Sequence, residues 1–433
     1  MKKLSFIVTM AVILLITFGS NPTKAGEIDL LIEKLVEKNV LSHSDAKELI
    51  SEIQKEGAKQ KETIKQVATE AAKEEVKSGV KLPEWVKKTK FTGDFRLRYQ
   101  SEETDNDDKP HRSRGRIRLR AGAGTQINEH WAAGFGISSG GANPRTTLQT
   151  FDNNFETGDL RLDYAYAKYR PLKILDITVG KFKNPLWQAR TFLWDSDIRP
   201  EGLAMGLSHK ISREIQVFST LAFFILDEFS NDSSDPVMWA FQPGIKWNFT
   251  DKNYLKLAGA YYAPDNLRGN NFPYSAGTNS TDAAGKLVND YKALAGDMEL
   301  GFGLKEPIPF IALLGQYVSS SADDAYDLDG NKDNEGWLLG IKFGDKKVSN
   351  LGDWQVVYNY RHLERDAWPD FLCHSSFYNG STNAKGNEVM LSLGISKNVN
   401  IVLDYFKAKQ IRLNADNLER EQEWLALDLN LKW

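Results

Sequence analysis

The stretch His111–Gly124, HRSRGRIRLRAGAG, decides the fold class of this chain. Arginine occupies every second position from Arg112 to Arg120, and small or apolar residues dominate the positions between them. Successive side chains of a β-strand point to opposite faces, so this alternation is typical of a strand with two different faces. A helix of the same length would distribute the arginines around its whole circumference. The stretch therefore predicts a strand with one cationic face.

The period of two starts at FTGDFRLRYQ (91–100), which places Arg96 and Arg98 on one face, and it continues to the last residue. Sixteen segments show it, which predicts sixteen strands. They lie near 91–100, 112–124, 130–140, 160–170, 174–183, 201–210, 214–225, 236–248, 253–263, 291–303, 308–320, 334–344, 352–364, 384–396, 398–411 and 421–433.

The connections between these strands alternate in length. Short ones such as INEH and TDKN take turns with long polar ones, and the last strand, EWLALDLNLKW, has an apolar face that ends in Trp433. Short turns at one rim, long loops at the other and an even strand number are typical of an outer-membrane barrel. The sequence thus predicts an all-β transmembrane barrel of about 16 antiparallel strands over 83–433. A soluble β-sandwich or solenoid is the alternative, because alternation alone does not separate these folds.

The N-terminal region has a different character. Residues 1–25 combine Lys2 and Lys3 with a short apolar stretch and small residues before Ala25, which predicts a secretory signal peptide. The apolar stretch is short for a membrane anchor, which needs about 20 residues. Residues 26–82 have helical spacing and predict a periplasmic arm, either a coiled coil or a solvated helical hairpin. These features predict export to the bacterial outer membrane.

Composition and motifs exclude several classes of function. The formal net charge of −3 does not fit a nucleic-acid binder, and the single cysteine excludes a disulfide framework. The acidic stretch 327–336 lacks the glycine and the final glutamate of a calcium-binding EF-hand. No nucleophile, zinc-protease or phosphate-binding motif occurs in the chain. We therefore expect no enzymatic activity, no metal site, no cofactor and no nucleic-acid partner.

The alternating arginines must face the inside of the predicted barrel. An arginine on the lipid face at mid-membrane costs about 2–4 kcal/mol, and one strand carries five of them. Either of two roles fits this inward face: the arginines concentrate and guide anions, or they pair with acidic loops and set the field across the pore. The predicted pore-lining residues are Arg96, Arg98, Arg112, Arg114, Arg116, Arg118 and Arg120. We call these seven residues the arginine ladder.

The long connection 184–200 is unusually aromatic for an external loop. Apolar anchors predict a segment that folds into the barrel and narrows it, with Asp195 and Asp197 facing the arginine ladder. An aromatic cap at the barrel rim is the alternative. The predicted constriction residues are Trp187, Trp194, Asp195, Asp197, Arg199 and Glu201.

Several motifs together resemble the bacterial putative-porin family of outer-membrane barrels: GDFRLRYQ, RSRGRIRLRAGAG, VGKFKNPLW, WDSDIRPEG and the closing LKW. The resemblance extends over essentially the whole mature chain. It implies a sixteen-stranded barrel, often trimeric, for passive diffusion of small hydrophilic solutes, with an inward-folded loop after the fifth strand. RIRLR is also similar to the arginine ladder of phosphate-selective porins, although the sequence shows no lysine cluster near it.

The sequence therefore predicts a porin that forms a water-filled channel for small hydrophilic solutes, with an arginine ladder that either favours anions or balances acidic loops. The alternative is a structural outer-membrane tether whose helical arm binds the cell wall or periplasmic partners. Expected partners are outer-membrane lipid and lipopolysaccharide, two further copies in a homotrimer, and the barrel-assembly machinery through Trp433.

Overall fold

The computed structural model describes residues 83–105, 111–230, 234–322, 330, 332–413 and 419–433. The predicted signal peptide and periplasmic arm, and residues 327–329 and 331 of the acidic stretch 327–336, lie outside these ranges. Among the helices within them, none is long and apolar enough to cross a membrane.

The described ranges contain one short α-helix, two 3-10 helices and seventeen strands. The helices are α1 (Glu84–Lys87), Asp370–Leu372 and Phe377–Gly380. The strands are β1 (Lys90–Thr104), β2 (Arg112–Gln126), β3 (Trp131–Ser139), β4 (Gln149–Thr150), β5 (Leu160–Leu172), β6 (Leu175–Lys181), β7 (Glu201–Lys210), β8 (Ile215–Ile225), β9 (Val237–Asn248), β10 (Tyr254–Asp265), β11 (Ala293–Gly303), β12 (Phe310–Ser320), β13 (Glu335–Gly344), β14 (Trp354–Leu363), β15 (Ala384–Ser396), β16 (Val399–Gln410) and β17 (Glu421–Lys432).

The strands form a closed antiparallel barrel. Each long strand pairs with the next along the chain, and β1 pairs with β17 to close the sheet. The two-residue β4 pairs with β2 alone, while β3 pairs directly with β5, so the wall consists of sixteen strands. The predicted fold and strand number are confirmed, and each predicted strand overlaps one strand of this wall.

The largest shift in strand bounds is at the first strand, which we predicted to end at residue 100. It continues to Thr104, because Glu102 still pairs with both neighbouring strands, with Arg112 in β2 and with Trp424 in β17. The polar sequence SEET lacks the alternation of apolar and polar residues that predicts a strand. A strand end that extends beyond the membrane needs no apolar face.

The outer face of the barrel carries an apolar band. Large hydrophobic side chains remain exposed at alternate positions of most strands. They include Leu97, Leu119, Phe135, Leu162, Leu221, Trp239, Leu294, Leu313, Leu339 and Val389. In water such a surface would be unfavourable, whereas in a bilayer it meets hydrocarbon. The polar positions between these residues consequently face the interior.

Apolar side chains fill part of the β7–β14 side of the interior. Several inward positions there are apolar and buried, for example Phe224 in β8, Tyr262 in β10 and Leu338 in β13. Three loops pack onto them, and their buried residues include Leu186, Phe192, Leu193, Trp194, Ile198, Leu267, Phe272, Leu287, Tyr291, Trp368, Phe371 and Leu372. We call this cluster the apolar plug. Its burial excludes water from the part of the interior that these loops occupy.

Candidate functional site

A polar cavity of about 980 Å³ lies on the other side of the interior, along β1, β2 and β15–β17. On the β1 wall it extends from Arg96 to Glu102, and at the short-turn rim it reaches Lys346 and Lys432. Near the long-loop rim it is bounded by Asn143 and Asn379. The cavity therefore runs along the inner wall from one rim towards the other.

Six of the seven ladder arginines line this cavity. The exception is Arg112, whose side chain is 57% exposed and whose guanidinium lies 3.9 Å from Glu102 near the long-loop rim. The rest come from β1 and β2, which pair in register so that Arg96 lies opposite Arg118, and Arg98 opposite Arg116. Like charges directly opposite each other destabilise a sheet. Each of these pairs consequently needs compensation from neighbouring groups.

Asp428 on β17 compensates the positive charges of the two ladder arginines on β1. Arg98 donates two hydrogen bonds to its carboxylate, at 2.6 and 2.7 Å, and is itself buried. Arg96 lies 3.3 Å from the same carboxylate and donates a 2.7 Å hydrogen bond to Asn430. A bidentate arginine–carboxylate pair is among the stronger charge-assisted contacts in proteins.

Asp94 and Asp197 compensate the positive charges of Arg118 and Arg120 on β2. Asp94 accepts hydrogen bonds from Arg118 at 2.9 Å and from Arg120 at 2.8 Å. Asp197 lies 3.2 Å from Arg120 and 3.9 Å from Arg118, so both arginines face two carboxylates. This end of the ladder is close to electrically balanced.

Arg116 differs from the other lining arginines of the ladder. Its guanidinium donates to neutral oxygens: the Gln100 side chain at 3.2 Å, the Leu148 carbonyl at 3.0 Å and the Thr146 hydroxyl at 3.4 Å. Its Nε is buried and makes no hydrogen bond. Within the part of the chain that the structure describes, no carboxylate lies within 4 Å of it. Arg116 thus retains an uncompensated positive charge at the cavity wall.

Residues 182–200, here called the inner loop, connect β6 to β7 and contact four parts of the inner wall. Trp187 exchanges backbone hydrogen bonds with the Gln242 side chain of β9, at 2.7 and 2.8 Å. The Ala189 amide donates to Asp297 of β11, and Arg190 donates to Glu388 of β15 at 2.5 Å. Asp197 then reaches Arg120 of β2. The segment therefore passes through the interior instead of capping the rim.

The two aspartates of the inner loop have different surroundings. Asp195 accepts hydrogen bonds from the backbone amides of Asp197 and Ser375, and burial together with the charge of Asp197 raises its pKa to about 6. Burial acts to raise the pKa of Asp197 as well, but Arg118, Arg120 and Arg199 together lower it below its usual value. At neutral pH the ladder accordingly faces an ionised Asp197.

The other predicted constriction residues lie in three different places. Trp194 is fully buried in the apolar plug, between the rings of Phe224, Tyr262 and Trp368. Arg199 lines the cavity and lies 3.4 Å from Asp163.

Glu201 pairs with Lys181 at 2.6 Å and is 58% exposed. Both residues share the outward side of the sheet with the exposed Val179 and Leu207. The structure therefore places the Glu201 side chain outside the barrel interior.

Sequence reasoning missed several charged residues that the structure brings inside. Asp94, Asp404 and Asp428 share the inward parity of their strands, so the period of two could have identified them. Four lysines, Lys246, Lys256, Lys342 and Lys346, also come together, from β9, β10, β13 and the turn after β13. In the sequence they are up to a hundred residues apart, and no local pattern links them. Among the described residues, no three His, Cys, Asp or Glu side chains are grouped as metal ligands.

Lowering the pH from 7.5 to 5 should increase the preference of the cavity for anions. Because the pKa of Asp195 is raised to about 6, this carboxylate takes up a proton in that interval and its negative charge is lost from the cavity. His374, which also lines the cavity, stays neutral since burial and Arg361 lower its pKa to about 3. Reversal potentials measured in a salt gradient at both pH values test this. The Asp195→Asn variant is the control and should show a smaller change than the wild type.

Solved structures with similar folds are bacterial outer-membrane proteins. OprB of Pseudomonas putida, in a high-pH structure, is 11% identical over 81% of this chain and 96% of its own, with a TM-score of 0.52. The outer-membrane channel DcaP of Acinetobacter baumannii is 14% identical over 80% and 97%, with a TM-score of 0.46. A triple mutant of Rhodopseudomonas blastica porin is 9% identical over 80% and 100%, with a TM-score of 0.44. The likeness to OprB supports the barrel fold.

The sequence comparison identifies the family. No curated protein matches the chain. The family model described as putative porin matches residues 58–112, 107–293 and 315–433, which cover most of the chain. Together with the closed sixteen-stranded wall, this match confirms the resemblance seen in the sequence. The chain belongs to the putative-porin family and is an outer-membrane channel protein for passive diffusion.

Proposed function

We propose that the channel favours small anions and that the arginine ladder forms one wall of its pore. The observation that carries this proposal is the charge of the cavity lining, which has twelve basic and five acidic residues. Asp94 and Asp163 pair with lining arginines from just outside it, and they still leave an excess of five positive charges. In a narrow space with low-dielectric walls such an excess concentrates anions.

Arg116 is the ladder residue best suited to meet a passing anion. Its neighbours Arg98 and Arg118 are held by Asp428 and Asp94, whereas Arg116 is held in position by neutral oxygens and keeps its charge for the cavity. A guanidinium can donate two parallel hydrogen bonds to a carboxylate or phosphate. Weak binding of this kind, followed by release, allows selective conduction.

The inner loop is the proposed constriction. Asp197 faces Arg120 across the cavity lining, and Trp194 anchors the segment in the apolar plug. These contacts support a pore that is narrowed from one side and confined to the β1–β2 wall.

We extend the proposal to the partners of the channel. The apolar outer band supports contact with membrane lipid and lipopolysaccharide, and family resemblance supports a homotrimer. Trp433 ends the chain directly after β17, is 57% exposed and pairs its backbone with Gly93. The exposed ring supports recognition of Trp433 by the barrel-assembly machinery.

Arg116→Gln should lower the anion-to-cation permeability ratio by about two- to fivefold, since one unpaired charge in a partly hydrated pore is worth roughly 0.5–1 kcal/mol. The measurement is the reversal potential of the purified protein in a planar bilayer under a salt gradient. Arg112→Gln is the matched control, because this arginine lies near the rim, and it should change the ratio little.

An unchanged ratio in Arg116→Gln would refute the role of the ladder in selectivity. Absence of any open conductance in the wild type would refute the channel and favour the structural tether. That alternative depends on residues 26–82, which lie outside the described part of the chain.

A further inference from the structure

The four interior lysines form a second basic cluster, separate from the arginine ladder. Lys246 and Lys256 lie directly opposite each other across β9 and β10. Lys342 comes from β13, and Lys346 follows that strand in the short turn. All four ammonium groups lie over aromatic rings of the same region, at 4.0–5.5 Å from the ring centroids. We call the lysines and these rings the lysine–aromatic cluster.

The cluster has a surplus of positive charge. Glu299 of β11 is its carboxylate, and it accepts a hydrogen bond from the Tyr254 hydroxyl at 2.5 Å and one from Lys342 at 3.5 Å. Within the described ranges, no carboxylate lies within 4 Å of Lys246, Lys256 or Lys346. Two like charges directly opposite across a sheet are unfavourable. A bound anion would relieve that repulsion.

The aromatic part of the cluster offers apolar ring surface beside these charges. Lys256 lies 4.0 Å from the ring centroid of Trp187 and 4.9 Å from that of Phe218, and both rings are only half-buried. The two rings meet edge to face, with centroids 6.4 Å apart. Phe218 lies against Gly244 of β9, where a Cβ atom would come within 2.2 Å of the ring. The glycine thus allows the ring to lie flat on the inner wall.

We infer that the lysine–aromatic cluster binds carboxylates that carry an aromatic ring. The carboxylate would pair with the ammonium of Lys256, and the ring would pack on Trp187 and Phe218. Lys346 lines the main cavity as well, which connects the cluster to the solute path at the short-turn rim. The inference rests on the proposed channel function for access, while the site itself is distinct from the ladder.

The test compares benzoate with acetate as blockers of chloride current through single channels. Benzoate should block at a concentration about three- to tenfold lower than acetate, because an aromatic contact adds about 0.5–1.5 kcal/mol. Lys256→Gln should weaken the block by both acids, and Trp187→Leu should weaken the block by benzoate alone. Lys252→Gln, in the exposed turn between β9 and β10, is the matched control and should behave as the wild type.

Equal block by benzoate and acetate, or an unchanged benzoate block in both variants, would overturn the inference. Saturation-transfer NMR on the detergent-solubilised protein measures benzoate binding without any current. If the wild type binds benzoate and Lys256→Gln does not, the binding site is supported even if no channel current is observed. A failure of the channel proposal can therefore be distinguished from a failure of the binding site. Lys252→Gln should leave this binding unchanged. Electrophoretic mobility before and after heating confirms that each variant is folded.

Discussion

Replacing Glu388 with alanine should lower the free energy of unfolding by about 3–5 kcal/mol, the usual cost of removing one partner of a buried ion pair. Glu388 is buried in β15 and accepts hydrogen bonds from Arg361 and Asn359 of β14 and from Arg190 of the inner loop. Alanine would leave the buried guanidinium of Arg361 and the partly buried guanidinium of Arg190 without this carboxylate. Urea unfolding followed by tryptophan fluorescence in lipid vesicles measures the effect.

Glu388→Gln separates the loss of the negative charge from the loss of the hydrogen-bond acceptor. The amide oxygen can still accept one hydrogen bond while the charge is lost. The free energy of unfolding of Glu388→Gln should therefore lie between that of the wild type and that of Glu388→Ala. Asn387→Ala, on the neighbouring outward position, is the matched control and should change stability by less than about 1 kcal/mol. A wild-type midpoint in Glu388→Ala would show that the ion pairs of Glu388 do not stabilise the barrel.

The barrel could be predicted from the sequence because two local rules suffice. Strand parity puts Arg116 and Arg118 on one face and Ile117 and Leu119 on the other, and the cost of arginine in lipid then decides which face points inward. Alternating connection lengths supply the antiparallel order. Neither rule needs knowledge of contacts between distant residues.

Only some of the acidic partners of the arginine ladder could be predicted from the sequence. Parity places Asp94 on the same face as Arg96, and Asp428 has the inward parity of the last strand, so acidic partners on the strands themselves were detectable. We expected these partners in the inner loop, where Asp197 does contact the ladder. Which arginine each carboxylate meets depends on strand register, and register follows from the closure of the whole barrel.

The apolar plug and the lysine–aromatic cluster were beyond the reach of local patterns. Trp368 and Trp194 pack together although 174 positions separate them, and each lies in a loop with no periodicity. Lys246 of β9 and Lys346 of the turn after β13 approach the same Tyr254 ring. Loop paths through an interior are set by packing and pairing on several strands at once, which single-sequence periodicity does not encode.

Deletion of residues 187–198 should raise the single-channel conductance by roughly two- to threefold, as expected when a constriction that limits a water-filled pore is removed. The deleted segment includes Leu193, Trp194 and Ile198 of the apolar plug and the contacts to β9, β11, β15 and β2. Its loss opens to water the part of the interior that the segment filled. Anion preference should fall at the same time, because ions then pass farther from the arginine ladder than a Debye length of about 8 Å.

The deletion also exposes apolar wall residues such as Phe224 and Tyr262 to water, and each large side chain that loses its burial costs about 1.5–3 kcal/mol. A glycine–serine segment of the same length therefore serves as a second variant, since it keeps the chain connection and lacks the anchors. Asp197→Asn separates charge from width: conductance should stay near the wild-type value, while anion preference rises as the ladder loses one counter-charge. If the folded deletion variant conducts no better than wild type, the inner loop does not limit the pore, and its role is to hold the apolar plug together.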